Sequence, residues 1–145
     1  MREEITHSVK ETHTLASLFF RKYGKRHMVI ALRGDLGAGK TTFAQGLLSA
    51  LGAEGPYTSP TFTIIKEYDV NEKEIAKVYH VDAYRVGSKD MQSLGWNEII
   101  ADSRAIVIIE WSENIADIVP DDAVVISCEL ISETDHKYVF SSNKK

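Results

Sequence analysis

The run Gly34-Asp35-Leu36-Gly37-Ala38-Gly39-Lys40-Thr41 constrains this chain more than any other feature. It satisfies G-x-x-x-x-G-K-[ST] without a mismatch and sits between two segments of opposite character. Before it lies Met28-Val29-Ile30-Ala31-Leu32, almost wholly apolar, which predicts a strand buried on both faces as in a parallel sheet. After it, from Thr41, the residues Phe43, Ala44, Leu47, Leu48 and Leu51 recur at helical spacing until Gly52 stops the pattern. Strand, glycine-rich turn and helix in that order form a P-loop. Its glycines let successive backbone N–H groups point at a β-phosphate, and the helix start adds the positive end of its dipole. Lys40 is then expected to reach the β- and γ-phosphates, Thr41 to offer its hydroxyl to Mg²⁺, and Thr42 to hold the α-phosphate side. The competing reading is a glycine-rich strand-to-helix turn with a chance lysine.

A chain of 145 residues accommodates one domain, 1–145, large enough to bury about two-thirds of its unfolded surface. The hydrophobic share of 43% and charged share of 26% are ordinary for a soluble globular protein, and no apolar run reaches the roughly 18 residues that span a bilayer. The first residues turn acidic at once at Glu3 and Glu4, without the apolar core of a signal peptide, so a cytoplasmic, membrane-free protein is expected. A net charge of −4 argues against independent binding to nucleic acid, which draws its affinity from basic groups. The doublets Arg21-Lys22 and Lys25-Arg26 read as the solvated end of a helix, where cations suit the dipole. Cys128, the lone cysteine, lies in an apolar run and reads as a buried strand residue.

Along the chain, Ser8-Val9-Lys10-Glu11 has the spacing of a capping box, opening an amphipathic helix that Gly24 ends. Residues 61–68 and 76–81 read as an antiparallel strand pair around a polar turn at 69–73. Residues 88–100 look helical despite Gly95, 105–109 form a second fully apolar strand, and 122–131 and 137–141 close the chain as strands, leaving 142–145 as a frayed tail.

A P-loop needs a second anchor for Mg²⁺, normally an acid at the end of a neighbouring buried strand. Glu110 sits at such an end, after Ile106-Val107-Ile108-Ile109; its bland reading is an exposed acid capping a strand. In His80-Val81-Asp82-Ala83-Tyr84-Arg85, alternation would place His80, Asp82 and Tyr84 on one face. Asp82 there can orient or deprotonate an attacking water and Arg85 can neutralise charge, but a polar face turned to solvent explains the pattern as well. Ser59-Pro60-Thr61-Phe62 follows the P-loop helix, where a hydroxyl can sense the γ-phosphate; a turn ending in X-Pro accounts for it equally.

In this order and in a chain of this length, the pieces resemble the bacterial TsaE (YjeE) family, the ATPase subunit required for threonylcarbamoyladenosine formation in tRNA. The resemblance covers residues 8–120. It rests on Glu11-Thr12, the stretch from Gly34 to Phe43, Ser59-Pro60-Thr61-Phe62, the stretch from His80 to Arg85, and Glu110-Trp111. It implies an α/β, P-loop NTPase-like fold with a mixed parallel and antiparallel sheet flanked by helices. It also implies ATP or ADP with Mg²⁺ as ligand and a Mg-dependent ATPase that is weak without partners. Asp82, Lys40 and Glu110 would be the catalytic groups, with Thr41 or Thr42 and Glu110 on the metal. Asp35, Leu36, Gly37, Ala38, Gly39, Lys40, Thr41, Thr42, Glu11 and Trp111 would meet the nucleotide. The implied partners are TsaB and TsaD, with tRNA reached mainly through them.

Two departures stand out. Ser112 follows Glu-Trp where the family often has Pro or Ala, and the family's late arginine-bearing strand is replaced by Asp135-His136-Lys137-Tyr138. Two rival classes weigh less. A small metabolite kinase needs an arginine-bearing lid, and no arginine cluster supplies one; a guanine-specific switch needs N-K-x-D, which Asn71-Glu72-Lys73-Glu74 does not provide.

Overall fold

The computed structural model describes residues 2–58, 60 and 63–143. One sheet of seven strands organises the chain, in the order β1-β7-β6-β2-β5-β4-β3. The strands are β1 (Arg2–Thr6), β2 (Met28–Arg33), β3 (Ile65–Glu72), β4 (Ile75–Asp82), β5 (Ala105–Glu110), β6 (Val124–Leu130) and β7 (His136–Ser142). The inner strands β6, β2, β5 and β4 run parallel, while β3, β7 and β1 pair antiparallel at the flanks. This is the expected mixed sheet. The two all-apolar sequence runs became neighbours, with Ile30 opposite Ile108, because only strands covered on both faces can be apolar on both.

Alternation within those strands sorts their side chains into two cores. Ile30, Leu32, Ile106 and Ile108 face α1 (Val9–Tyr23) and α2 (Lys40–Ala50), meeting Phe19, Phe43 and Leu47. Ala31, Val107 and Ile109 face the other way, toward α3 (Ser88–Ser93), α4 (Trp96–Ala101) and the 3₁₀ segment Ser112–Ile118, where Met91, Trp96 and Ile115 cover them. Glu110 continues the alternation of Ile106 and Ile108, so it points to the α2 side. Helix α1 opens with half of the expected capping box: Ser8 Oγ accepts from Glu11 N at 3.0 Å, but Glu11 Oε1 accepts from His7 N at 2.9 Å, one residue before the N-cap. Its last turn carries the exposed Arg21 and Lys22. Cys128 is buried in β6, where desolvation pushes its thiol pKa up to about 12.

Several boundaries differ from expectation. Strand β1 is unexpected, since Arg2, Glu3 and Glu4 carry no apolar signal; it holds by pairing with β7 from Arg2↔Phe140 to Thr6↔His136. The hairpin turns at Lys73 and Glu74, both at positive φ (47° and 65°), so β3 extends through the polar residues assigned to the turn. Gly95, at φ 89°, divides the predicted 88–100 helix into α3 and α4. The tail begins later than expected, because Ser142 lies in β7 and Asn143 Nδ2 donates to the carbonyls of Val119 (3.1 Å) and Pro120 (3.0 Å). The motif residues Ser59, Thr61 and Phe62 lie outside the described residues, as do Lys144 and Lys145. Among the described residues no helix is long and apolar enough to cross a membrane.

Candidate functional site

The carboxyl ends of β2, β5 and β4 meet at one edge of the sheet, and each delivers a residue singled out in the sequence. Strand β2 runs into the loop 34–39; β5 ends on Glu110, and β4 on Asp82, which is Glu110's partner in the parallel register. Crevices at such ends are where open α/β sheets bind ligands.

The loop's geometry depends on its glycines. Gly34 has φ 143° and a side chain there would run into the Cys128 carbonyl; Gly39, at φ 99°, leaves no room beside the Tyr138 hydroxyl. Gly39 also caps α2 without any side-chain hydrogen bond, so the first amides of α2 remain available as donors to an anion. The cleft has a volume of about 380 Å³ and is lined by residues 36–42 together with Asp82, Tyr84, Glu110, Trp111 and His136.

Glu110 is 2% exposed, and a buried carboxylate left unpaired would cost several kcal/mol. Two partners remove that cost. Thr41 Oγ1 donates to Glu110 Oε1 at 2.6 Å, and His80 Nε2 meets Oε2 at 2.6 Å. A carboxylate can only accept, so Nε2 carries the hydrogen, while Nδ1 is buried without a hydrogen-bond partner among the described residues. The exposed-acid reading of Glu110 therefore fails. So does the solvent-facing reading of β4's polar end, since His80 and Asp82 are 1% and 5% exposed. Tyr84 does not share their face. The strand ends at Asp82, whose Oδ1 accepts from Tyr84 N at 2.9 Å, and the chain turns so that Tyr84 is exposed and packs its ring 4.8 Å from Trp111.

Lys40 Nζ donates to the carbonyls of Gly34 (2.6 Å) and Asp35 (2.9 Å) and lies 3.9 Å from the centroid of the Trp111 ring. Trp111 itself adopts φ 59°, a left-handed conformation rare for an aromatic residue, which aims its ring into the cleft. Leu36, at the loop's tip, is 83% exposed. Arg85 is exposed and is not among the residues that line the cleft, and neither is Glu11, whose carboxylate accepts from His7 N ahead of α1. Lys137 lies 3.9 Å from Glu129 on the neighbouring strand β6.

Sequence reasoning missed the contribution of β7. His136 Nε2 lies 3.3 Å from the Gly37 carbonyl, and the Tyr138 hydroxyl donates to the Gly39 carbonyl at 3.1 Å. Local pattern cannot reveal contacts across 99 positions; the departure from the family at these residues was the available signal. Among the described residues no three His, Cys, Asp or Glu side chains cluster as a metal site. The Thr41 hydroxyl and Glu110 carboxylate nevertheless form the small all-oxygen pair that suits Mg²⁺, which takes one or two protein oxygens together with phosphates.

A larger groove, about 840 Å³, lies at the opposite end of the sheet beside Phe19, Tyr23, Met28 and Phe140. Convergent donors, rather than volume, mark a phosphate site, and that groove has no glycine-rich loop or uncapped helix start.

The chain is similar over most of its length to proteins of one family. The profile of the family described as "Threonylcarbamoyl adenosine biosynthesis protein TsaE" matches residues 6–138. A tRNA threonylcarbamoyladenosine biosynthesis protein TsaE from Aquifex aeolicus is 35% identical over 139 residues, 94% of this chain and 93% of the relative. Its namesake from Bacillus subtilis is 33% identical over 133 residues, 92% of this chain and 80% of the relative. The crystal structure of Bacillus subtilis YdiB superposes with a TM-score of 0.75 at 29% identity, covering 97% of this chain and 84% of that one.

Proposed function

The chain belongs to the TsaE family, and from that premise we propose that it binds ATP with Mg²⁺, hydrolyses it weakly, and serves threonylcarbamoyladenosine modification of tRNA by acting on a TsaB–TsaD pair. The observation that carries this reading is the meeting of Thr41 and Glu110 at 2.6 Å under a P-loop, with Asp82 beside Glu110 in register. That seven strands form one sheet supports treating 1–145 as a single domain, and the family's tRNA role suits a cytoplasmic protein.

On this reading the backbone amides of residues 37–42 receive the phosphates, with Asp35 and Leu36 at the loop's outer edge. Lys40 leaves the carbonyls of Gly34 and Asp35 for the β- and γ-phosphates, exchanging two neutral acceptors for charged ones. Thr41 and Glu110 would hold Mg²⁺, which neutralises phosphate charge when bound. Asp82, shielded from solvent and fixed by the Tyr84 amide, orients or deprotonates the attacking water. Trp111 walls the nucleotide side of the cleft.

The test is phosphate release from ATP, measured with and without TsaB and TsaD. Slow release that the pair accelerates is the expected result. Transfer of the γ-phosphate to a metabolite, or no turnover in either condition, would overturn the proposal.

A further inference from the structure

Four consecutive residues after β5 each touch a different segment that frames the cleft. Trp111 lays its ring against Lys40. Ser112 Oγ donates to the Leu32 carbonyl at 3.1 Å, at the end of β2. Glu113 Oε2 accepts from Gly34 N at 3.0 Å, the first amide of the P-loop. Asn114 Nδ2 donates to the carbonyls of Ala83 (2.9 Å) and Tyr84 (3.3 Å), where the chain leaves β4. Asn114 N bonds the Trp111 carbonyl at 3.0 Å and closes the turn.

The partners are informative. An asparagine in a turn ordinarily bonds its own neighbours. Here the Asn114 side-chain amide reaches 31 positions back, to the same dipeptide whose Tyr84 N–H holds the Asp82 carboxylate. Glu113 likewise spans 79 positions to reach the loop. Both side chains are exposed, so neither is retained for packing.

We propose that Asn114 is a positioning residue for Asp82 and Glu113 a positioning residue for the P-loop, so that this turn holds the two halves of the site at their working separation. The assignment of roles rests on the ATPase reading above. Errors of about 1 Å between reacting groups can cost on the order of 10²-fold in rate, so a tether on residues 83–84 matters for turnover more than for affinity. The tether on Gly34 acts on the amides that grip phosphate, and so matters for affinity.

The experiment compares wild type, Asn114→Ala, Glu113→Ala and Glu113→Gln by residue-resolved amide exchange, ADP titration with Mg²⁺ and ATP turnover with the partner pair. Asn114→Ala should speed exchange at Tyr84 N about tenfold and lower kcat about tenfold, with ADP affinity within roughly twofold. Glu113→Ala should speed exchange at Gly34 N and weaken ADP about fivefold, and Glu113→Gln, which keeps an acceptor oxygen, should restore both. Unchanged exchange at these two amides would overturn the proposal, as would an increase spread evenly over β5 and α2. Should wild type itself fail to turn over ATP, the ATPase reading falls, while the exchange pattern still decides the tethers. If Asn114→Ala does not fold, Asn114→Asp removes the same N–H donors and is read by the same exchange criterion.

Discussion

Thr41 and Glu110, 69 positions apart, share a hydrogen bond of 2.6 Å, and His80 occupies the other oxygen of the same carboxylate. Replacing Glu110 with Gln keeps the shape and an acceptor for Thr41 but removes the anion. ADP affinity measured with Mg²⁺ should fall about tenfold while affinity in chelator changes by less than about twofold. Equal losses in the two titrations would show that Glu110 only props up Thr41.

Asp82→Asn separates chemistry from binding. The amide oxygen still accepts from Tyr84 N, so nucleotide affinity should stay within a few-fold while ATP hydrolysis drops roughly 10²-fold. Phosphate release and ADP titration on the same preparation check this. Normal hydrolysis with the partner pair present would remove Asp82 from the mechanism.

Lys40→Ala should reduce ATP turnover by on the order of 10²-fold or more, because the loop's amides remain but the cation that meets the γ-phosphate is gone. ADP binding should survive in weakened form. Wild-type turnover in this variant would defeat the P-loop assignment.

Much of this arrangement was legible locally. The loop 34–41 and the strand ending in Glu110 announced themselves because burial on both faces forces an apolar run, and an acid at its end must emerge where the run stops. Asp82 was legible as a candidate but not as a buried one, since the composition of β4 cannot say what packs over the face at its end. Glu113, Asn114, His136 and Tyr138 act through bonds spanning 30 to 99 positions, for which neither periodicity nor spacing leaves a trace. Strand β1 escaped for a related reason: at the sheet's edge its charged residues need only a backbone partner.

Cys128 offers a check on the core. Burial holds its thiol near a pKa of about 12, so iodoacetamide at about pH 8 should leave the native protein unmodified over hours and label the denatured chain within minutes. Fast native labelling, followed by mass spectrometry, would mean that β6 is not covered.

The pair His7–Asp135, at 2.9 Å, joins the start of the chain to the β6–β7 turn. Asp135, by hydrogen bonding, raises the His7 pKa above its ordinary 6.5, and His7 lowers that of Asp135 below 3.8. The raised histidine stabilises fully below its unfolded value and loses the effect as pH climbs through the folded one; the lowered aspartate stabilises above its unfolded value and loses the effect in acid. Both contribute between those limits. Thermal melts should therefore show a larger wild-type advantage over His7→Gln at about pH 5.5 than at about pH 8.5, small in size because the pair is exposed. An advantage that does not change with pH would dissolve the pair.

The hydroxyl of Tyr138 closing on Gly39 makes the P-loop answerable to β7. Among the described strands β7 comes last in the sequence, and β1, the first, pairs with β7 alone. A growing chain halted before His136 would carry the whole glycine-rich motif without the side chain that closes against Gly39. Ribosome-bound intermediates should therefore hold nucleotide poorly until β7 has emerged, which delays the cell's first use of the site until the sheet is complete.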